Sequence, residues 1–178
     1  MINITELHAL APSQLSDILA LMKELSQEID VTPGMIESVL KAPGSHLFAA
    51  VDAIGANAAA KSPGSSTSGS STSGSSTPGS PTSASSSPRI LGVATLCVYE
   101  SPTGRKASVE DVVVSQACRG QHIGKRLMEH IITYARTNLA EVDLCLTSRP
   151  DRVAATNLYK SLGFQPKETN VYKMPIKR

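Results

Sequence analysis

The chain of 178 residues has no tryptophan, two phenylalanines and four tyrosines, so aromatics are 3% of it. A surface that stacks successive bases needs aromatic faces and a surplus of positive charge. Here 17 basic residues against 15 acidic ones leave a formal net charge of only +2. No nucleic-acid partner is expected, and any basic feature has to be local. The three cysteines, Cys97, Cys118 and Cys145, are odd in number and widely spaced. That argues against a disulfide framework or a Cys-x-x-Cys metal knuckle and suits a reducing compartment, with no metal expected. No apolar run approaches the roughly 18 residues that a membrane span needs, and "MINITELHAL" lacks the basic start and apolar centre of a secretory signal. A cytoplasmic protein with no membrane partner is the expectation.

What the chain has in excess is confined to one place. From Gly55 to Pro88, Ser, Thr, Gly and Pro dominate, with almost nothing to bury apart from alanines. Ordering such a stretch costs backbone entropy with no compensating core, so it reads as a flexible low-complexity insert. Loop-closure entropy grows slowly with length, and a surface turn can carry the insert at about a few kcal/mol or less. The remainder has the length of one ordinary domain, so residues 1–178 are expected to form a single domain with 55–88 inserted in it.

Around the insert the apolar periodicity alternates in kind. "INITEL" reads as a strand from Ile2 to Leu7, and Leu15, Ile18, Leu19, Met22, Leu25 and Ile29 keep a helical stripe. Thr32 before Pro33 has the form of an N-cap and first-turn proline for a second, short helix. Ser45 to Val51 and "RILGVATLCVYE" are strands on either side of the insert, which would lengthen a hairpin turn. Lys106 to Ser115 is a fourth strand, nearly continuous in β-branched residues, as a strand buried on both faces should be. A helix carrying Ile123, Leu127, Met128, Ile131, Ile132 and Ala135 follows. Then come strand "VDLCLT", a helix ending at Gly163 and a last alternating strand, "NVYKM". The order β-α-α-β-β-β-α-β-α-β predicts an α/β fold with a mixed sheet.

Between the fourth strand and its helix lies "ACRGQHIGKRLM". A turn leaving a buried strand for a helix aims unpaired backbone N–H groups and the positive helix end at one spot, and small residues let an anion come close. Diphosphate is the natural guest. The stretch matches neither GxxxxGK[ST] nor GxGxxG.

"VEDVVVSQACRGQHIGKRLM", followed at a distance by "NLYKSLGF", resembles the GCN5-related N-acetyltransferases (GNAT). The resemblance spans essentially the whole chain outside the insert. It implies the GNAT fold, a mixed and mostly antiparallel central sheet flanked by helices, and acetyl-CoA as acyl donor. Arg119 and Gly124 match the ends of the family's loop motif, so the backbone of Arg119, Gly120, Gln121, His122, Ile123, Gly124 and Lys125 would wrap the pyrophosphate of coenzyme A. His122 stands where the family has a small residue, which is harmless if only its amide is used and costly if the position needs positive φ. Val112, Val113 and Val114 would border the gap in which the pantetheine arm pairs as an extra strand does. Tyr159, four residues before Gly163-Phe164, is implied as the general acid that protonates the leaving thiolate. Many relatives carry asparagine seven residues before this tyrosine; here Arg152 holds that place and is expected to face the cleft.

Direct attack needs a neutral amine. A lysine-like amine of pKa about 10.4 is neutral in less than about 0.1% of molecules at pH 7. A carboxylate nearby is the usual remedy, and successive strand residues face opposite sides, so one of Glu110 and Asp111 must look into the cleft. Glu110, on the face of Val112 and Val114, is preferred, with Asp111 or water left open. A backbone N–H in the distorted part of the fourth strand would hold the oxyanion. The expected reaction is acetyl transfer to a primary amine of a small molecule or peptide in a ternary complex. "EDVVV" before "CRG" is also similar to glucosamine-phosphate N-acetyltransferases, although Ala155 replaces their asparagine. An aminosugar phosphate is therefore an alternative acceptor, and Arg149, Arg152, Lys167 and Lys173 could receive an acidic one. A module that binds acyl-CoA without turnover is a further alternative, and a homodimer is left open.

Overall fold

The protein is described by a computed structural model covering residues 1–52 and 88–176. The insert expected at 55–88 lies, except for Pro88, outside the described residues.

Strand β1 (Ile2–Leu7) leads to helix α1 (Pro12–Leu25), which starts where Pro12 needs no donor and the Ala11 amide donates to Gln14 Oε1 at 3.0 Å. Helix α2 (Pro33–Lys41) starts as expected, Thr32 Oγ1 accepting from the Met35 amide at 3.4 Å. Next come β2 (Ser45–Asp52), β3 (Arg89–Ser101), β4 (Gly104–Val114), α3 (Ile123–Asn138), β5 (Leu144–Leu146) and α4 (Val153–Ser161). The sheet order is β1-β2-β3-β4-β5, antiparallel up to β4 and parallel between β4 and β5. Asp52 and Arg89 are register partners, as the two ends of an extended hairpin turn should be. Asp17 on α1 accepts from the Ile90 amide at 2.9 Å and so fixes the start of β3.

The sheet is covered on both faces. Ile18, Leu21, Met22 and Ile36 of α1 and α2 pack on Leu47, Ile90, Val93 and Val113. On the other face Ile123, Leu127, Met128 and Ile131 of α3 pack on Phe48, Ala94, Leu96, Ala107 and Val109. The apolar stripes read in the sequence therefore form the two cores, except that α1 ends at Leu25 and leaves Ile29, the last of its expected stripe, 57% exposed.

Two expectations need correction. "NVYKM" is not a strand: residues 164–176 have no regular structure, and Val171, Tyr172 and Met174 are 75%, 88% and 79% exposed. Alternation supplies a strand pattern, but the pattern needs a paired neighbour and a covered face, and this segment has neither. The second correction is on β4. Val93 pairs with Val113 while Thr95 pairs with Glu110, so Ala94 alone faces Asp111 and Val112. This is a β-bulge, with Asp111 at φ 52°. The extra residue resets the alternation. Val109 belongs to the α3 core and Val112 and Val114 pack beside it, whereas Val113 belongs to the α1 core. Glu110 therefore does not share the face of Val112 and Val114.

Candidate active site

Strand β5 pairs with β4 only through Ala107, Ser108 and Val109. From Glu110 onward β4 keeps β3 on one side and has none of the described residues paired with it as a strand on the other. Facing that open half is the N-terminal end of α4. The resulting cleft of about 590 Å³ is lined by Glu110, Asp111 and Val112 of β4, by Arg152 and Tyr159, and by Glu24 and Glu28 at the end of α1.

Each element places its side chain for a local reason. Arg152 is the N-cap residue of α4, half-buried, and its guanidinium donates to the Leu25 carbonyl at 3.0 Å. It thus ties α4 to the end of α1. Tyr159 lies about two turns further on, its ring edge-on to Phe164 with centroids 6.1 Å apart. Helix α4 stops at Gly163, φ 94°, where the Phe164 amide reaches back to the Tyr159 carbonyl at 3.1 Å. Burial pushes the Tyr159 phenol above its ordinary pKa, and the Arg152 charge offsets part of this. The phenol therefore stays protonated across the neutral range, as a proton donor must. Loss of hydration in the cleft holds the Asp111 carboxyl above the usual carboxylate range. Burial, followed by the charges of Glu110 and Asp111, raises the Cys97 thiol against an opposing hydrogen bond from Ser45, which disfavours a thiolate nucleophile there.

Beyond the end of β4 the chain turns through a short 3₁₀ segment, Gln116–Cys118. The Ser115 amide donates to the Leu91 carbonyl at 2.9 Å and the Gln116 amide to Glu24 Oε2 at 2.8 Å, which anchors the turn to β3 and α1. Gly120 has φ 80° and His122 φ 57°. The case left open in the sequence is thereby decided: position 122 is left-handed, a conformation in which histidine is among the better-tolerated non-glycines. The His122 side chain is exposed and makes no capping bond, so α3 begins with its first amides free of a side-chain cap. Ile123 is buried, so it can offer a ligand only its backbone. A Cβ on Gly124 would touch Val114 Cγ2 at 3.7 Å and Leu158 Cδ2 at 3.6 Å, ordinary contact that leaves room for alanine. Arg119, Gln121 and Lys125 are exposed.

The residues read from the sequence thus fall into two adjoining groups. Glu110, Asp111, Val112, Arg152 and Tyr159 share the cleft. Arg119 to Lys125 form the turn that continues β4, Val113 is buried under α1 and Val114 packs on the α3 side. Lys167 and Lys173 do not line the cleft; they sit in the exposed tail. Glu24 and Glu28 escaped the sequence reading, since the helical stripe marks only the apolar face of α1 and the polar residues at its end carry no motif. Among the described residues no cluster of three or more His, Cys, Asp and Glu side chains could hold a metal, and no helix is long and apolar enough to cross a membrane.

The model of the GNAT acetyltransferase family matches residues 67–164. No curated protein matches the chain. Among solved structures, an acetyltransferase from Trypanosoma brucei is 18% identical with a TM-score of 0.63, covering 98% of this chain and 100% of its own. A putative acetyltransferase from Agrobacterium tumefaciens is 19% identical with a TM-score of 0.64, covering 97% and 99%. A glucosamine-6-phosphate N-acetyltransferase from Arabidopsis thaliana is 14% identical with a TM-score of 0.63, covering 98% of each chain. At these identities the likeness is one of fold. The family match, over more than half of the sequence, goes further: the chain belongs to the GNAT acetyltransferase family.

Proposed function

We propose that the protein transfers the acetyl group of acetyl-CoA to a primary amine held in the cleft, by direct attack with both substrates bound. The observation that carries this reading is the half-open edge of β4, with Tyr159 on one side and Asp111 on the other in a single cleft. An unpaired strand edge suits the amides of a pantetheine arm, and the turn from Arg119 to Lys125, with its uncapped helix start, suits a pyrophosphate. Acetyl-CoA supplies a thioester carbonyl as electrophile.

The chain's own groups then have distinct tasks. Asp111 takes a proton from the ammonium form of the acceptor, because dehydration raises the proton affinity of its carboxylate. The alternation that favoured Glu110 fails at the bulge, and Glu110 serves as a second negative charge at the cleft wall. The backbone N–H groups of the bulge are the donors for the oxyanion. Tyr159 gives its proton to the departing sulfur. Arg152 acts on Tyr159 through its charge and holds α4 against α1.

Calorimetric titration with acetyl-CoA and with S-acetylpantetheine, followed by thiol release against a panel of amines, tests the reading. Micromolar binding that weakens strongly without the pyrophosphate, together with amine-dependent thiol release, supports it. Absence of acetyl-CoA binding overturns it.

A further inference from the structure

The sheet ends at β5, and its outer edge is open. Strand β5 pairs with β4 on one side, and among the described residues no strand lies on the other. Beside it runs a groove of about 540 Å³, apart from the cleft, lined by Ala135 and Leu139 of α3, Val142 and Leu144 of the β5 segment, and Leu162 and Phe164 at the end of α4. Exposure alternates along this edge: Val142, Leu144 and Leu146 are half-buried on the α3 side, while Glu141, Asp143 and Cys145 are exposed. Glu141 and Asp143 make no ion pair with any described residue. An open strand edge beside an apolar groove is a surface that an extended chain can cover.

The chain carries a segment with the matching pattern. Gln165 is the last residue to line the groove, and the tail beyond it, to Ile176, has no regular structure. Pro166 favours an extended backbone at Gln165, so the tail leaves α4 as an arm. In extended form Tyr172, Met174 and Ile176 share one face, with Val171, Lys173 and Pro175 on the other. The first three are 88%, 79% and 82% exposed. Laid along β5, they continue the apolar row of Leu144 and Leu146 over the groove, and Lys173 stands on the side of Glu141 and Asp143. Pro175 has no N–H, but an edge strand offers its partner only alternate amides, so pairing through 172, 174 and 176 is unaffected.

Each copy thus holds an uncovered edge and an unpaired strand sequence that fits it. We propose that two copies exchange tails, residues 171–176 of one adding to β5 of the other, in a two-fold homodimer. The contact is isologous: tail meets groove twice, so both edges and both tails are covered at once, with no other protein needed. A copy of the same chain is the partner because the apolar row, the lysine and the carboxylates that match one another belong to one sequence.

Light scattering on the full chain tests this: the mass should rise to twice that of the monomer with increasing concentration. Tyr172→Asp changes an exposed position and leaves the monomer's cores untouched. It should raise the dimer dissociation constant about 100-fold, since each dimer buries the ring twice. Removing residues 171–178 should give a monomer at every concentration, with the far-UV dichroism of the folded chain. Lys173→Cys reports which groove is filled, because in the paired tail position 173 shares the face of the exposed Cys145. Mild oxidation should link the two positions between copies, seen as a dimer on a non-reducing gel and located by peptide mass. A full chain that stays monomeric into the millimolar range, a dimer that survives loss of the tail, or a link formed within one chain overturns the proposal. Acetyl transfer stands or falls separately, since groove and cleft have no lining residue in common.

Discussion

At the scale of single residues, the proposed chemistry rests on Tyr159 and Asp111, two groups whose proton affinities burial raises. Tyr159→Phe should lower kcat by about 100-fold while the calorimetric Kd for acetyl-CoA stays near the wild-type value, because in the proposed reaction the phenol acts on the leaving sulfur and not on the cofactor's phosphates. An unchanged kcat would remove Tyr159 from its role. Asp111 carries a stability signature as well. Its folded pKa lies above the ordinary carboxylate value, so its contribution to stability is fully present below the unfolded pKa and is lost as pH rises through the folded one. Asp111→Asn should therefore raise Tm at pH 7, with the gain vanishing as pH falls through that window, while the rate drops. Asparagine tolerates the left-handed backbone as well as aspartate does, so backbone strain does not confuse the comparison. These two proposed roles were unequally legible. That Tyr159 lines the cleft was implied by the family resemblance in its spacing to Gly163-Phe164, but which of Glu110 and Asp111 shares a face with Val112 and Val114 turned on a bulge that period-two reasoning cannot see. Arg152 was found by counting seven residues back, whereas Glu28 reaches the cleft only because α1 ends beside β4.

At the scale of elements, helix α4 is a short lever held at both ends, by the Arg152 contact to Leu25 and by the left-handed Gly163. A Cβ on Gly163 would meet no atom within 4 Å, so the cost of Gly163→Ala is conformational. It should amount to about 1–2 kcal/mol, read from the urea midpoint, with kcat reduced because the Tyr159 carbonyl is the partner of the Phe164 amide. The elements legible in the sequence were those with a face to bury. The stripe of α3 and the β-branched run of β4 announced themselves, and both lie against the sheet core. "NVYKM" carried the same alternation and formed nothing, since periodicity records what could be buried and not whether a surface is there to bury it. The three-residue length of β5 was equally invisible, yet that brevity is what leaves β4 open.

At the scale of the whole molecule, residues 53–88 leave the sheet at Asp52 and return at its register partner Arg89. Replacing them with the two-residue turn Asn-Gly should preserve the β2–β3 pairing, the urea midpoint and kcat to within a small change. Loss of folding on this replacement would show that the segment is part of the domain's structure and not an insertion in a turn. The composition of this stretch made it stand out at first reading, because a chain with so little to bury has no claim on the core. The open half of β4 has its own consequence, one that concerns molecules meeting one another. An exposed strand edge is a template on which any extended chain can polymerise. Here that edge is interrupted by a bulge and bears two adjacent charges, Glu110 and Asp111. The pair that is proposed to receive an amine also acts as a guard against aggregation, so removing both charges should cost the protein its solubility as well as its rate.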